Sequence, residues 1–233
     1  MNIAIILAGG KGKRMKAGKN KVRLEIARKP IIFYTLKSFE NIKAITSIIL
    51  VVGKDDKIFF ENLVKKYKFK KVRGIVLGGK ERQNSAYNGL KYVEKTIKNK
   101  EKVNLIFHNG ANPFVTKKEI KEALLAVDKY GASAVAQKTK DTIRKVDQQG
   151  ISLGVIDRTN LWNMQTPQVI KFSLAQKAFE QAMASNFLGT DDVSLVERLG
   201  KKVKIIPASE NNFKITTPLD LVLARLIIEG KKK

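Results

Sequence analysis

The sequence predicts an α/β fold built on a mostly parallel sheet that is covered by helices. Short β-like runs rich in Ile, Leu and Val alternate with longer segments in which apolar residues recur at helical spacing. The first β-like run, at residues 3–7, leads directly into a glycine-rich loop. Strands that alternate with helices favour crossover connections, and these connections produce parallel sheets.

Composition or spacing supports each element of the first half. The predicted strands are the apolar runs at residues 3–7, 46–52, 72–77, 103–107 and 132–136. A helix over residues 30–39 begins with proline, which is favoured in a first helical turn. A helix over residues 81–97 follows from apolar residues spaced three or four apart. The segment Thr116-Lys-Lys-Glu119 is a capping box for a third helix, which ends at Gly131.

The pattern becomes irregular between about residues 139 and 168. Two β-like runs there flank Gln148-Gln-Gly150, which is typical of a turn, so we predict a β-hairpin excursion and no second domain. The remaining predicted elements are a helix over 173–184, a short helix after 192, a strand at 203–206 and a last helix from Pro218. Residues 1–233 are therefore expected to form a single domain.

The composition argues against several classes of protein. No apolar run reaches the ~18 residues of a membrane-spanning helix. The N-terminal apolar run is too short for a signal peptide and lacks a basic segment before it. The chain has no Cys, and hence no disulfide framework and no thiolate chemistry. We expect a cytoplasmic protein without membrane contact.

The net charge of +25 raises the question of nucleic acid. The basic residues are mostly Lys, however, and they are spread over the whole length. Proteins that read nucleic acid usually concentrate Arg and stacking aromatic residues in one patch. The charge therefore favours small anionic substrates, whose local concentration it raises, over nucleic acid.

Three polar, glycine-containing segments follow predicted strands, at residues 8–15, 78–82 and 108–113. Ligands of parallel α/β sheets bind beyond the carboxyl ends of the strands, so we expect these segments to form one cleft. In the first segment, glycine lets backbone N–H groups approach an anion, and Lys11, Lys13 and Arg14 add positive charge. The loop matches neither a P-loop nor a dinucleotide fingerprint.

Six motifs, in order, resemble those of the 2-C-methyl-D-erythritol 4-phosphate cytidylyltransferase family. They are Ala8-Gly-Gly-x-Gly-x-Arg-Met15 with Lys21, Lys29-Pro30, Gly78-Gly-x-Glu-Arg82 with Ser85, Gln165-Thr-Pro-Gln168, Gly189-Thr-Asp-Asp192, and Lys214-Ile-Thr-Thr-Pro218-x-Asp220. The resemblance covers essentially the whole chain. It implies a Rossmann-like, twisted sheet with helices on both faces, of the nucleotide-diphospho-sugar transferase type.

The resemblance also implies a reaction and a set of site residues. The family joins CTP to a polyol phosphate and releases pyrophosphate, and catalysis of this kind is chiefly positioning and charge stabilisation. By resemblance, the catalytic cations are Arg14 and Lys21. The implied nucleotide-binding residues are Ala8, Gly9, Gly10, Gly12, Gly79 and Ser85, and those for the polyol phosphate are Thr142, Arg158, Thr166 and Lys214. The alternative for Ser85, from its residue type, is a helix-start hydroxyl.

In the family, the excursion is an arm that exchanges across a homodimer. The resemblance therefore implies a dimerisation arm at about residues 139–163, with Thr142 and Arg158 serving the neighbouring subunit's site. A long polar segment of weak periodicity inside a compact α/β chain needs something to cover it, which supports the dimer.

The chain departs from the family pattern at one strand end. The family motif resembles His-Asp-[Gly/Ala]-Ala-Arg-Pro, whereas this chain has His108-Asn-Gly-Ala-Asn112-Pro. The family's Asp lies near the divalent ion, so Asn109 stands at the metal position, with a carbonyl oxygen that could face hydrated Mg²⁺. Mg²⁺ is expected as a cofactor that is bound mainly through the CTP phosphates.

These departures leave three interpretations open. The chain is a cytidylyltransferase for methylerythritol 4-phosphate, an enzyme for a related polyol phosphate such as ribitol 5-phosphate, or a weakly active or non-catalytic homologue that binds nucleotide or nucleic acid. The mechanism needs no His, so His108 is predicted to be structural. Asp191 and Asp192 are interpreted as a helix N-terminus in preference to a metal pair.

Overall fold

The computed structural model describes residues 1–10, 12 and 20–230. Its strands, in chain order, are β1 (Asn2–Leu7), β2 (Glu25–Ile26), β3 (Lys29–Pro30), β4 (Ser47–Val52), β5 (Val72–Leu77), β6 (Asn104–Asn109), β7 (Ala132–Lys138), β8 (Ile143–Val146), β9 (Ser152–Ile156), β10 (Trp162–Lys171) and β11 (Lys204–Pro207). Its helices are α1 (Ile31–Glu40), α2 (Lys57–Lys66), α3 (Arg82–Thr96), α4 (Lys117–Tyr130), α5 (Phe172–Ala184), α6 (Asp192–Arg198) and α7 (Pro218–Gly230).

Seven strands form the central sheet, in the order β11-β7-β10-β6-β1-β4-β5. Only β10 runs antiparallel to its two neighbours, and the other six strands share one direction. Strands β8 and β9 form a separate hairpin, and β2 pairs with β3. The expectation of a mostly parallel α/β sheet is confirmed.

Both faces of the sheet are buried because successive side chains of a strand point to opposite faces. In β1, Ile3 and Ile5 pack against α3, α5 and α6, whereas Ala4 and Ile6 pack against α1, α2 and α4. A smaller cluster joins α7 to β2 and to the start of α1. Within the described part of the chain, no helix has the length and apolar character needed to span a membrane.

The irregular segment at residues 139–168 contains more regular structure than the sequence suggests. The hairpin is confined to β8 and β9, and from Trp162 the chain returns to the sheet as β10, between β6 and β7. The sequence pattern does not indicate β10 clearly, because the first half of this strand is largely exposed and its pairing is irregular between Met164 and Gln168. Only the last residues of β10 include the buried apolar side chains from which a strand can be predicted.

The parallel strands bring their carboxyl ends to one edge of the sheet. Leu7 at the end of β1 is paired with Val51 on one side and with Asn109, the last residue of β6, on the other. Val52 is in turn paired with Leu77 at the end of β5. The segments that follow these strands therefore start side by side, as expected from the sequence.

Candidate active site

A cavity of about 630 Å³ lies at this edge of the sheet. It is lined by Leu7, Ala8, Gly9, Gly10, Gly12, Asn20, Lys21, Val22, Gly79, Lys80, Glu81, Arg82, Ser85, Asn109, Ala111, Lys214 and Thr216. The three segments after β1, β5 and β6 all contribute to the wall, together with a loop from the C-terminal half. Four glycines and three lysines are among the described residues of this wall, which suits an anionic ligand.

The structure brings most of the sequence-predicted site residues to this cavity. All six nucleotide-binding candidates line it, and so do Lys21 and Lys214. Arg14, the other predicted catalytic cation, lies outside the described residues, as do Lys11 and Lys13. Thr166 lies behind the wall, where its hydroxyl accepts a hydrogen bond of 3.3 Å from the backbone N–H of Asn109.

The two arm residues are not part of this cavity. Thr142 and Arg158 are exposed, and a guanidinium N–H of Arg158 donates to the backbone carbonyl of Lys140 within the arm. Within one chain, the described residues therefore assemble the glycine loop and two lysines, but not the polyol-phosphate candidates of the arm.

Asn20 fixes the start of the segment that carries Lys21. Its buried side chain donates to the carbonyl of Ala8 at 2.6 Å and to the Asp56 carboxylate at 2.8 Å. Its oxygen accepts from the backbone N–H of Val22, which caps a single 3₁₀ turn. Arg23 pairs with the same Asp56 at 2.8 Å. Asn20 thereby ties the turn that begins with Lys21 directly to the glycine loop.

Sequence reasoning overlooked Asn20, although a signal was present. Asn is a favoured helix N-cap, and here it immediately precedes a lysine and the short turn that it caps. The contact with Ala8 could not be read from that signal, because it depends on how the loop folds back.

The loop after β5 lies on the first turn of α3. Ser85 accepts a hydrogen bond from the N–H of Gly79 at 3.1 Å and donates to the carbonyl of Glu81 at 3.0 Å. A Cβ at Gly79 would lie 2.4 Å from the Cβ of Asn84, so only glycine allows this approach. The hydroxyl of Ser85 thus organises the loop, and the residue also lines the cavity.

Two contacts hold the loop that carries Lys214. The buried side chain of Asn212 donates to the carbonyl of Thr166 at 3.0 Å. The backbone N–H of Ile215 donates to the carbonyl of Ala111 at 2.9 Å. Because Ala111 also lines the cavity, these contacts join the C-terminal loop to the segment after β6 and place Lys214 in the wall.

An ion pair at the cavity wall was not anticipated from the sequence. Arg82 donates to both carboxylate oxygens of Asp192, at 2.9 and 2.7 Å, and its Nε donates to the Oδ1 of Asn109 at 3.3 Å. The Asp192 side chain is only 1% exposed. Burial lowers the pKa of Arg82, but the charge and hydrogen bonds of Asp192, together with the charge of Asp191, raise it by more, so the guanidinium remains charged.

The neighbouring Asp191 behaves as the sequence indicates. It is the N-cap of α6, and its carboxylate accepts from the backbone N–H of Ser194 at 2.9 Å. The capping interpretation is confirmed for Asp191. Asp192, by contrast, uses its side chain to hold Arg82.

The described residues do not provide a ready-made Mg²⁺ site. Among them, no group of three or more His, Cys, Asp or Glu side chains is placed to hold a metal ion. The Oδ1 of Asn109, expected to face hydrated Mg²⁺, instead accepts a hydrogen bond from Arg82. The donor set of this part of the chain therefore does not fit direct coordination of the ion by protein.

His108 is fully buried in β6, and its position agrees with a structural role. Its Nε2 donates to the carbonyl of Asn112 at 2.9 Å, because a carbonyl can only accept. Its ring lies 4.8 Å from that of Phe39, between centroids. Burial lowers the pKa of His108 to about 4, so the imidazole is neutral near pH 7.

Protonation of His108 is expected to contribute to acid destabilisation. The folded-state pKa of about 4 lies below the ordinary value of 6.5, so the unfolded chain takes up this proton first as the pH falls. Neutral His108 makes its full contribution to the free energy of unfolding above pH 6.5. As the pH falls towards 4, the free energy of unfolding decreases by roughly 3 kcal/mol because of this group. Urea unfolding of His108→Gln should show a shallower fall in stability over this range than the unsubstituted chain. Parallel curves would contradict the assignment.

A mostly parallel, helix-covered sheet with glycines and lysines in a cavity at its strand ends defines an α/β protein with a cleft suited to an anionic ligand. The family model described as 2-C-methyl-D-erythritol 4-phosphate cytidylyltransferase matches residues 2–230. The chain belongs to this family.

Individual proteins and structures of this family are similar to the chain over nearly its whole length. The protein of that name from Bacillus cereus is 45% identical over 233 residues, which is 100% of both chains. The one from Geobacillus thermodenitrificans is 43% identical over 228 residues, or 98% of this chain and 97% of the relative. A crystal structure of 4-diphosphocytidyl-2C-methyl-D-erythritol synthase from Anaerococcus prevotii superimposes with a TM-score of 0.85 at 29% identity, covering 98% of this chain and 96% of the other.

Proposed function

We propose that this chain joins CTP and 2-C-methyl-D-erythritol 4-phosphate to give the CDP-polyol and pyrophosphate, a step in non-mevalonate isoprenoid precursor synthesis. The observation that carries the proposal is the cavity, where a glycine loop, Lys21 and Lys214 meet at the ends of parallel strands in a member of this family. A cytoplasmic location and a single domain over residues 1–233 are part of the same proposal.

The proposed chemistry is a direct displacement at phosphorus. An oxygen of the polyol phosphate forms a bond to the α-phosphorus of CTP, and the bond from that phosphorus to the bridging oxygen of the β-phosphate breaks. Pyrophosphate leaves with the bonding electron pair. No protein nucleophile is required, and the protein contributes position and positive charge.

In this proposal, Lys21 and Arg14 stabilise the charge that gathers around the α-phosphorus. The backbone N–H groups of the glycine loop, with Gly79 and Ser85, bind the nucleotide, whereas Lys214 and Thr166 belong to the polyol-phosphate side. Mg²⁺ would offset triphosphate charge, and it would be bound mainly through the CTP phosphates, since the described residues form no acidic cluster for it.

We also propose that the hairpin of β8 and β9 is a dimerisation arm. Nearly all of its residues are exposed, and its apolar side chains include Val146, Ile151, Leu153 and Val155 at 53–64% exposure. Several exposed apolar side chains on one hairpin are typical of an interaction site. A second copy of the chain would cover this surface and would receive Thr142 and Arg158 at its own cavity.

Mixing two inactive variants tests this arrangement of the arm. Lys21→Met and Arg158→Ala homodimers should each have low activity. If Arg158 serves the partner's cavity, a mixed dimer contains one intact site, and an equimolar exchanged sample should recover about a quarter of the wild-type rate. If Arg158 serves its own cavity, mixing restores nothing. Sedimentation of each variant alone controls for loss of the dimer.

The activity is tested by pyrophosphate release with matched substrate pairs. We expect release with CTP and methylerythritol 4-phosphate, and a much lower kcat/KM when UTP or ATP replaces CTP. A second candidate substrate is ribitol 5-phosphate, favoured by the uncharged, fully buried Asn112 where the family has Arg. Release with ribitol 5-phosphate alone would replace the first proposal by the second. Release with neither substrate would leave a non-catalytic homologue.

A further inference from the structure

The orientation of the Asn109 side chain is fixed by chemistry. Its Oδ1 accepts from the Nε of Arg82 at 3.3 Å. Arginine has donors and no acceptor, so the oxygen of the amide, and not its nitrogen, must face Arg82. The Nδ2 of Asn109 has no hydrogen-bond partner among the described residues, and Asn109 lines the cavity.

Arg82 is itself held in place from the opposite side. Both of its terminal nitrogens donate to Asp192, whose carboxylate is buried and hence cannot exchange Arg82 for water. The backbone N–H of Asp192 donates to the buried Gln168 at 2.9 Å. The line of contacts from Gln168 through Asp192 and Arg82 to Asn109 therefore has a single hydrogen-bonding arrangement.

Asn109 also stands next to the glycine loop. It is the last residue of β6 and is paired with Leu7, after which the loop begins. The N–H of Gly110 donates to the carbonyl of Leu7 at 2.8 Å, which holds the two strand ends together. An anion cradled by the loop would therefore lie beside Asn109.

We propose that Asn109 donates a hydrogen bond from Nδ2 directly to a phosphate oxygen of the bound nucleotide, and that Arg82 is the positioning residue that enforces this orientation. The proposal rests on the function proposed above and specifies how this strand end contacts its substrate. A cation coordinated by the Oδ1 of Asn109 would lie next to the positively charged guanidinium of Arg82, which would repel it. Asn109 therefore acts as a hydrogen-bond donor to phosphate and not as a metal ligand. The nucleotide should accordingly bind well without a divalent ion.

Calorimetric titration of CTP in EDTA and in excess Mg²⁺ tests the proposal without measuring turnover. Asn109→Asp removes the donor and places a carboxylate beside the triphosphate, so we expect CTP affinity in EDTA to fall by about 10-fold or more. Mg²⁺ should restore most of that loss by screening the carboxylate. Asn104→Asp, the same change at the far end of β6, is the matched control and should bind CTP as the wild type does in both buffers.

Arg82→Lys tests the positioning role. Lysine keeps the charge but cannot hold Asp192 and Asn109 together in the same fixed fork. We expect CTP affinity in EDTA to fall, while affinity in Mg²⁺ changes less, and thermal unfolding shows whether the variant is folded. A purely structural role would lower affinity equally in both buffers.

The outcomes separate this inference from the proposed function. Wild-type protein that binds CTP only with Mg²⁺, or Asn109→Asp that binds as tightly as wild type in EDTA, would overturn the inference and leave the enzyme proposal intact. Wild-type protein that binds no CTP in either buffer would overturn the proposed function itself.

Discussion

Replacing Lys21 with methionine is expected to lower kcat for pyrophosphate release by about 10²- to 10³-fold, the usual effect of removing one fixed group that stabilises transition-state charge. Methionine has a similar length but carries no charge. Lys21 lines the cavity, and Asn20 ties its turn to the carbonyl of Ala8, so the residue is held beside the glycine loop. The KM for CTP should change much less than kcat, because the charge is needed most in the transition state.

Lys65→Met, on the exposed side of α2, is the control for the loss of one positive charge from this basic chain. It should leave kcat within a factor of about two, since Lys65 is exposed to solvent and is not part of the cavity wall, so that salt screens its charge. A Lys21→Met variant with normal kcat and a raised KM would show that Lys21 only binds the ground state.

Replacing Asp192 with alanine is expected to lower the free energy of unfolding by about 3 kcal/mol, because it leaves the partner of a buried ion pair without its counter-charge. The Asp192 carboxylate is 1% exposed and receives two hydrogen bonds from Arg82, whose side chain is 31% exposed. Partial exposure of Arg82 limits the loss, because water can reach part of the guanidinium. Urea unfolding followed by circular dichroism measures the change.

Asp128→Ala removes an exposed carboxylate near the C-terminal end of α4 and is the matched control, with an expected change within about 0.5 kcal/mol. The double variant Asp192→Ala/Arg82→Leu should recover part of the lost stability, since it removes the unpaired charge. Equal stability of Asp192→Ala and wild type would show that the pair contributes nothing to folding.

The central sheet could be predicted from the sequence because its strands are short apolar runs between helical segments. β1, β4 and β6 are buried on both faces over most of their length and therefore read as nearly continuous apolar stretches. Strand β10 could not be predicted in the same way. Its first half is largely exposed, and its place in the sheet is decided by antiparallel pairing with β6 and β7 that leaves no local pattern.

The candidate site also contains features that local sequence predicts and features that depend on distant residues. The glycine loop and its neighbour Lys21 are close in sequence, so their motif could be recognised locally. The pair between Arg82 and Asp192 spans 110 residues, and no short-range spacing predicts it. The orientation of Asn109 depends on Arg82, which pairs with the distant Asp192, so the sequence around Asn109 could not show which group its carbonyl contacts.

The most direct test of the account is phosphorus NMR of the purified protein incubated with CTP, methylerythritol 4-phosphate and Mg²⁺. The triphosphate and phosphomonoester signals are expected to decline together while a diphosphate diester and pyrophosphate appear in equal amounts. The Lys21→Met protein should give the same products far more slowly. Unchanged CTP and phosphomonoester after prolonged incubation, or phosphate release without a diphosphate diester, would contradict cytidylyl transfer at this cavity.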